Sequence, residues 1–234
     1  MPLLLSIDTS TRGCSVALHQ DGQLLSNYDL LAEKSSSGML TSLIHNAVEQ
    51  AGFQLADVDA FAVAQGPGSY TGLRIAVSTA KGLCFALDKP LIAINTLEAM
   101  TLQVKDFYPA NYLFCPMIDA RRMEVYCAVL NANGEFIEDT QAKIIDQQAF
   151  EAVLTEQSIV FFGDGAKKCQ SVLGENPRAL FPQQLIFPSA KTVGELAWQR
   201  YQQQLFEDVV TFEPFYLKDF MATTPKKKVG IGEN

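Results

Sequence analysis

Set out as apolar against polar positions, the chain begins the same way twice. An apolar run from Leu3 to Ile7 ends on Asp8. A polar turn over 9–13 follows, then a strand-like run from Cys14 to His19, an Asp21-Gly22 turn, and a run from Gln23 to Leu31. Residues 112–118 form a second apolar run, ending on Asp119. After it come a polar stretch over 120–123, a run from Glu124 to Leu130, an Asn133-Gly134 turn and a run from Glu135 to Thr140. Asp-Gly and Asn-Gly are favoured two-residue hairpin turns. Their glycines fall fourteen residues after Asp8 and fifteen after Asp119, so the pattern predicts a duplicated three-stranded unit.

Between and after these units the period changes from two to 3.6. Met39, Leu40, Leu43, Ile44, Ala47 and Val48 share one face of a helix predicted over 36–52, with Ser35 and Ser36 as candidate N-caps. A strand over 59–65 leads through Gln65-Gly66-Pro67-Gly68-Ser69-Tyr70-Thr71-Gly72-Leu73-Arg74 into a helix over 72–87. A strand at Leu91–Asn95 and a helix over 96–107, capped by Thr96, complete the first half. The second half predicts a helix over 147–156, a strand over 158–162, a Gly163-Asp164-Gly165 turn, and helices over 166–173 and 192–206.

The glycine-rich loop admits two readings. Uncovered N–H groups at a helix N-terminus suit a phosphate. The same missing side chains let another protein backbone come close. The helix after the loop sharpens the choice: Leu73, Ala76, Val77 and Ala80 belong to an apolar surface covering most of its circumference, leaving Arg74, Ser78 and Lys81 as a polar stripe. Such a helix needs cover on two sides, from its own domain or from a partner.

Composition narrows the classes. The chain has 234 residues, 48% hydrophobic, and a net charge of −8, which argues against gripping nucleic acid unaided. The basic run Lys226-Lys227-Lys228 reads as a solvated tail. The start lacks a basic leader, no run approaches a membrane span, and five cysteines without a Cys-x-x-Cys pair point to buried thiols in a reducing cytoplasm. His19 and His45 are the only histidines and no metal-ligand spacing occurs, so no metal site is predicted.

Two β-β-β-α-β-α units with an Asp ending each first strand resemble the actin-like ATPase (ribonuclease H-like) fold, an α/β class of two tandem lobes, each a mixed sheet with flanking helices. The corresponding cleft would gather Asp8, Ser10, Gly66, Gly68, Ser69, Asp119 and Arg121. It looks degenerate, since Thr9-Ser10 stand where a close-approach glycine is usual after the first Asp, and no catalytic set is complete. An ATP-dependent phosphotransferase of this fold stays as the alternative function, and a peptidase using Ser69 as a weaker one.

Longer segments carry a family resemblance. They are Ile7-Asp8-Thr9-Ser10, the loop 66–74 with Lys81-Gly82-Leu83, Asn95-Thr96-Leu97-Glu98-Ala99, Ile118-Asp119-Ala120-Arg121 with Glu124-Val125-Tyr126, and the closing Pro214-Phe215-Tyr216-Leu217-Lys218. With these the chain resembles the bacterial TsaB (YeaZ) family over nearly its whole length. The resemblance implies a non-catalytic subunit in the transfer of a threonylcarbamoyl group to adenosine 37 of tRNAs reading ANN codons. It implies a catalytic transferase paralogue as partner, a small ATPase in the same complex, tRNA met only through that complex, and no membrane. It also implies a helical bundle in which the 36–52 and 72–87 helices meet the partner, placing Met39, Leu40, Leu43, Ile44, Ala47, Val48, Leu73, Ala76, Val77 and Ala80 at the interface; alone, the chain would pair with itself there. No cofactor is expected, with a nucleotide at the partner interface left open. The family's older glycoprotease-like label sits badly with the missing metal ligands. The histidine many relatives carry before the first bundle helix is absent from Glu33-Lys34-Ser35-Ser36-Ser37-Gly38, and Lys218 stands where Arg is usual. Expected lobes are 1–108 and 109–222, with a flexible tail over 223–234.

Overall fold

The computed structural model describes residues 1–32 and 36–218; the side chains of Ser36 and Ser37, the candidate cap Ser35 and the tail with Lys226–Lys228 lie outside the described residues. Strands β1 (Leu3–Asp8), β2 (Cys14–Gln20), β3 (Gln23–Leu30), β4 (Ala60–Gly66) and β5 (Leu91–Asn95) form one sheet in the order β3-β2-β1-β4-β5. Strands β6 (Leu113–Asp119), β7 (Glu124–Leu130), β8 (Phe136–Ile144), β9 (Ile159–Phe162) and β10 (Ala179–Leu180) form a second, ordered β10-β9-β6-β7-β8. In each sheet the first three strands are antiparallel and the last two join in parallel. The duplication read from the hairpin spacing is therefore a duplication of topology.

The helices repeat as well: α1 (Ser36–Glu49), α2 (Tyr70–Leu87) and α3 (Thr96–Leu102), then α4 (Glu151–Glu156), α5 (Ala166–Leu173) and α6 (Ala190–Gln202). Alternation along β1 decides which helix covers which face. Leu3, Leu5 and Ile7 pack under α1 and α2 with Leu40, Ile44, Ala47, Ala76 and Val77, while Leu4 faces α6 with Val193, Leu196 and Ala197. The third helix of each half crosses over. Leu97 and Met100 of α3 pack with Phe114, Ile118 and Val160 of the second sheet, and α6 covers the first sheet. The interlocked layers bring the two hairpin turns, 9–13 and 120–123, near enough for the Arg12 charge to act on Asp119.

Several element ends differ from the sequence reading. The helix expected over 96–107 stops at Leu102, and a short 3₁₀ turn takes Lys105–Phe107. Its cap is Asn95, whose Oδ1 accepts from the N–H groups of Leu97 (2.9 Å) and Glu98 (3.3 Å), one position before the expected Thr96. The helix expected from 147 begins at Glu151, because Phe150 takes a left-handed φ of 64°. α6 ends at Gln202 rather than 206, and the two-residue β10 had no signal in the pattern.

After α6 the chain returns along the first lobe. The Glu207 N–H donates to Leu91 O (2.9 Å), Phe212 is buried, and Lys81 Nζ donates to the carbonyls of Val210 (3.1 Å) and Phe212 (2.9 Å). Lys81, read as part of an open polar stripe, is thus clamped under this strap. The Phe215 N–H then reaches Gln65 O (2.8 Å), and Lys218 pairs with Glu124 of the second lobe.

Candidate functional site

The glycine loop is occupied by the chain itself. A Cβ on Gly72 would lie 1.9 Å from Thr9 O, and one on Gly68 would lie 2.2 Å from Ser10 O. The Ser69 N–H donates to Ser10 O (2.6 Å), and Thr9 Oγ1 donates to Gly72 O (2.6 Å). Gly66 has φ of +119°, and a Cβ on it would lie 2.7 Å from Phe215 O. Where side chains would stand, the loop makes room for the chain's own backbone. This lets α2 start directly against the β1–β2 hairpin and under the closing strap. Ser69 Oγ caps α2 by accepting from the Gly72 N–H at 3.3 Å.

The two strand-end carboxylates are also held from within. Asp8 Oδ1 accepts from the N–H (2.8 Å) and hydroxyl (2.7 Å) of Ser10, and its buried Oδ2 has no partner. Burial pushes this carboxyl up to about 6, against the Ser10 hydrogen bonds. Asp119 pairs with Lys168, whose Nζ also donates to Glu124 O (2.7 Å), and accepts from the Arg121 N–H (2.9 Å). Burial would raise Asp119, but the Lys168 ammonium, the Arg121 N–H and the Arg12 charge hold it below the usual carboxylate range. An ammonium therefore sits on the strand-end carboxylate of the second lobe. The Gly163-Asp164-Gly165 turn is likewise closed, since a Cβ on Gly163 would meet Met117 O at 2.3 Å. Among the described residues no group of three His, Cys, Asp or Glu side chains is placed to hold a metal ion. His19 is buried with neither ring nitrogen partnered, and burial drops it to about 4, whereas His45 is exposed on α1 and pairs with Glu49 (2.9 Å).

Asp8 gives a pH-dependent prediction. Its folded-state pKa lies above the unfolded value, so folding favours the protonated form; that contribution is complete below about pH 4 and is lost as pH rises through 6. Asp8→Asn keeps the oxygen that accepts from Ser10 and removes the buried charge. The variant is expected to be more stable than the wild type at pH 7.5 by up to about 3 kcal/mol, with the gap closing by pH 4. Urea denaturation at the two pH values measures it, and an equal gap at both would contradict the assignment.

The expected interface residues need correction. Leu40, Leu43, Ile44, Ala47, Val48, Leu73, Ala76, Val77 and Ala80 are all buried in the first lobe's own core, and only Met39, 40% exposed, reaches solvent. The apolar face reports how the helices attach to the sheet. The outward faces are different residues: Gly38, Met39, Thr41, Ser42 and His45 on α1, and Thr71, Arg74, Ser78, Gly82 and Phe85 on α2. The second set recurs every three or four residues, as a helix-packing stripe does. Phe85 is 85% exposed, and Gly38 and Gly82 face open space. Periodicity marks Arg74 and Ser78 as polar positions but does not single out Gly82 or the exposed Phe85 beside them.

A family model described as TsaD, tRNA N6-adenosine threonylcarbamoyltransferase, matches residues 30–226. A transferase of that name from Ehrlichia ruminantium is 27% identical, but the match spans 80% of this chain and only 58% of the relative. The tRNA threonylcarbamoyladenosine biosynthesis protein TsaB of Haemophilus influenzae is 31% identical over 92% of this chain and 93% of its own length. The chain belongs to the TsaB family. The solved structure of YeaZ from Pseudomonas aeruginosa agrees, with a TM-score of 0.78 at 27% identity over 93% of this chain and all of that one. In this TsaB-family chain the first strand-end carboxylate, Asp8, is buried, and the second, Asp119, stays exposed and paired with Lys168.

Proposed function

We propose that this chain is the non-catalytic subunit of the machinery that makes threonylcarbamoyladenosine in tRNA, and that it docks and supports a paralogous transferase through the outward faces of α1 and α2. The observation that carries the reading is the state of the cleft. Asp8 is tied to Ser10, Asp119 to Lys168, and the loop glycines to the Thr9-Ser10 backbone. These groups are engaged with one another or with their own backbone, while two helix faces stand open. The names of the TsaB relatives support the process, and the shared family model supports a transferase of related fold as the partner. A small ATPase and tRNA would be met through the complex, and the chain alone would pair with itself through the same faces. No described helix is long and apolar enough to cross a membrane, and five free, buried cysteines suit a reducing cytoplasm.

The phosphotransferase reading keeps one observation in its favour, the unpartnered Asp8 Oδ2. Calorimetric titration of the purified chain with Mg-ATP separates the two. The accessory reading expects no heat of binding up to millimolar nucleotide and no turnover. Saturable binding with phosphate release, both lost in Asp8→Asn, would establish the enzyme instead.

A further inference from the structure

The cleft mouth carries cations that the docking reading leaves unused. The β6–β7 turn sets Arg121 and Arg122 side by side, both exposed and both left-handed, with φ of 70° and 49°. Two successive residues with side chains rarely adopt this conformation, and such strain concentrates at working sites. Among the described residues no ion pair engages either guanidinium. The surroundings are basic too. Lys168 lies on Asp119, Lys218 lies on Glu124 and 5.9 Å from the Tyr126 ring, and the charge of Arg12 reaches Asp119 and Asp164 from the opposite hairpin. The nearby carboxylates are already held: Asp119 by Lys168, Glu124 by Lys218, and Asp164 by the Asp119 N–H at 2.9 Å. On the glycine-loop side Arg74 lies 4.7 Å over the Tyr70 ring, which is 4.7 Å from the ring of Tyr216. In a chain of net charge −8 with 18 Lys and Arg in all, this concentration runs against the whole.

We infer that this face contacts the phosphate backbone of RNA, with Arg121 and Arg122 at its centre. The inference rests on the proposed role in tRNA modification and gives the chain a direct contact with the substrate, beyond the indirect one first expected. Guanidinium forks match the paired oxygens of a phosphodiester, and such contacts position RNA without reading its sequence. The overall negative charge keeps the contact weak and its few phosphate contacts make it salt-dependent, suited to orienting RNA that the complex already holds.

Fluorescence anisotropy of a labelled tRNA transcript with the full chain, from low to physiological salt, tests it. Arg121→Glu and Arg122→Glu are each expected to weaken binding about tenfold. The double variant should flatten the log-log salt dependence by about two contacts, near 0.9 each. Lys89→Glu makes the same charge change beyond the far end of α2, before β5, and is expected to alter binding less than about twofold; melting curves confirm that all variants fold. Unchanged binding in the double variant overturns the inference, as does no binding by the wild type alone or with its partner. Displacement of the transcript by Mg-ATP overturns it too, by making a mononucleotide the occupant. The same double variant is carried through capture of the transferase paralogue. Retained capture with RNA binding intact sinks this inference alone, whereas no capture by the wild type sinks the docking reading beneath it.

Discussion

Gly72→Ala is expected to melt about 10 °C below the wild-type chain. The added Cβ would lie 1.9 Å from Thr9 O, a backbone atom that cannot rotate away. Relief requires α2 to lift off the β1–β2 hairpin, which strains the Thr9 Oγ1 bond to Gly72 O (2.6 Å) and the cap at Ser69. Overpacking against fixed backbone at this distance costs about 3–4 kcal/mol, and each kcal/mol moves the midpoint of a chain this size by about 2–4 °C. Gly82→Ala is the internal comparison. Nothing lies within 4 Å of its Cβ, so alanine in that helix position should stabilise by about 0.5–1 kcal/mol. The comparison separates two accounts of the loop. If the glycines served a phosphate, Gly72→Ala would lose a ligand and keep its melting temperature. Scanning calorimetry of both variants decides between them, and equal melting of Gly72→Ala and wild type would remove the intramolecular account.

How far the sequence reached depended on whether an arrangement was local. The duplicated strands were legible because each hairpin is set by neighbouring residues, with Asp21-Gly22 and Asn133-Gly134 marking the turns. The need for close approach at Gly68 and Gly72 was equally plain. Its object, the Thr9-Ser10 backbone, lies some sixty residues away and leaves no mark in the loop itself. The crossing of α3 and α6 between sheets was hidden for the same reason, since an apolar helix face does not name the sheet it meets. This also explains the misplaced interface: Leu43 and Val77 mark a buried face, and a helical wheel does not distinguish a core from a partner. The Arg121-Arg122 turn gave no conformational signal, because arginine is an unusual residue at positive φ.

Gly82→Arg is expected to weaken capture of the transferase paralogue at least about 100-fold while leaving the chain folded. The position faces open space within the outward stripe Thr71-Arg74-Ser78-Gly82-Phe85, so the isolated chain accommodates the new side chain without cost. A partner helix lying along that stripe can come closest where the side chain is missing and would meet a long charged group there, and loss of such a contact is worth about 3 kcal/mol or more. Ser78→Arg, one turn earlier, should behave alike. Leu43→Arg and Val77→Arg are expected to fail differently. These side chains are 8% and 4% exposed, and an unpaired charge there unfolds the lobe. Circular dichroism beside the capture assay tells the two kinds of loss apart.

The central claim is that this chain supports chemistry carried out by another subunit. The most direct measurement is threonylcarbamoyl transfer to a tRNA transcript by the catalytic paralogue and the small ATPase, assayed with the wild-type chain, without it, and with the folded Gly82→Arg variant. The account predicts rapid modification only with the wild-type chain, and the level of the omitted reaction with the variant. Full modification without the chain, or with Gly82→Arg in its place, would contradict it.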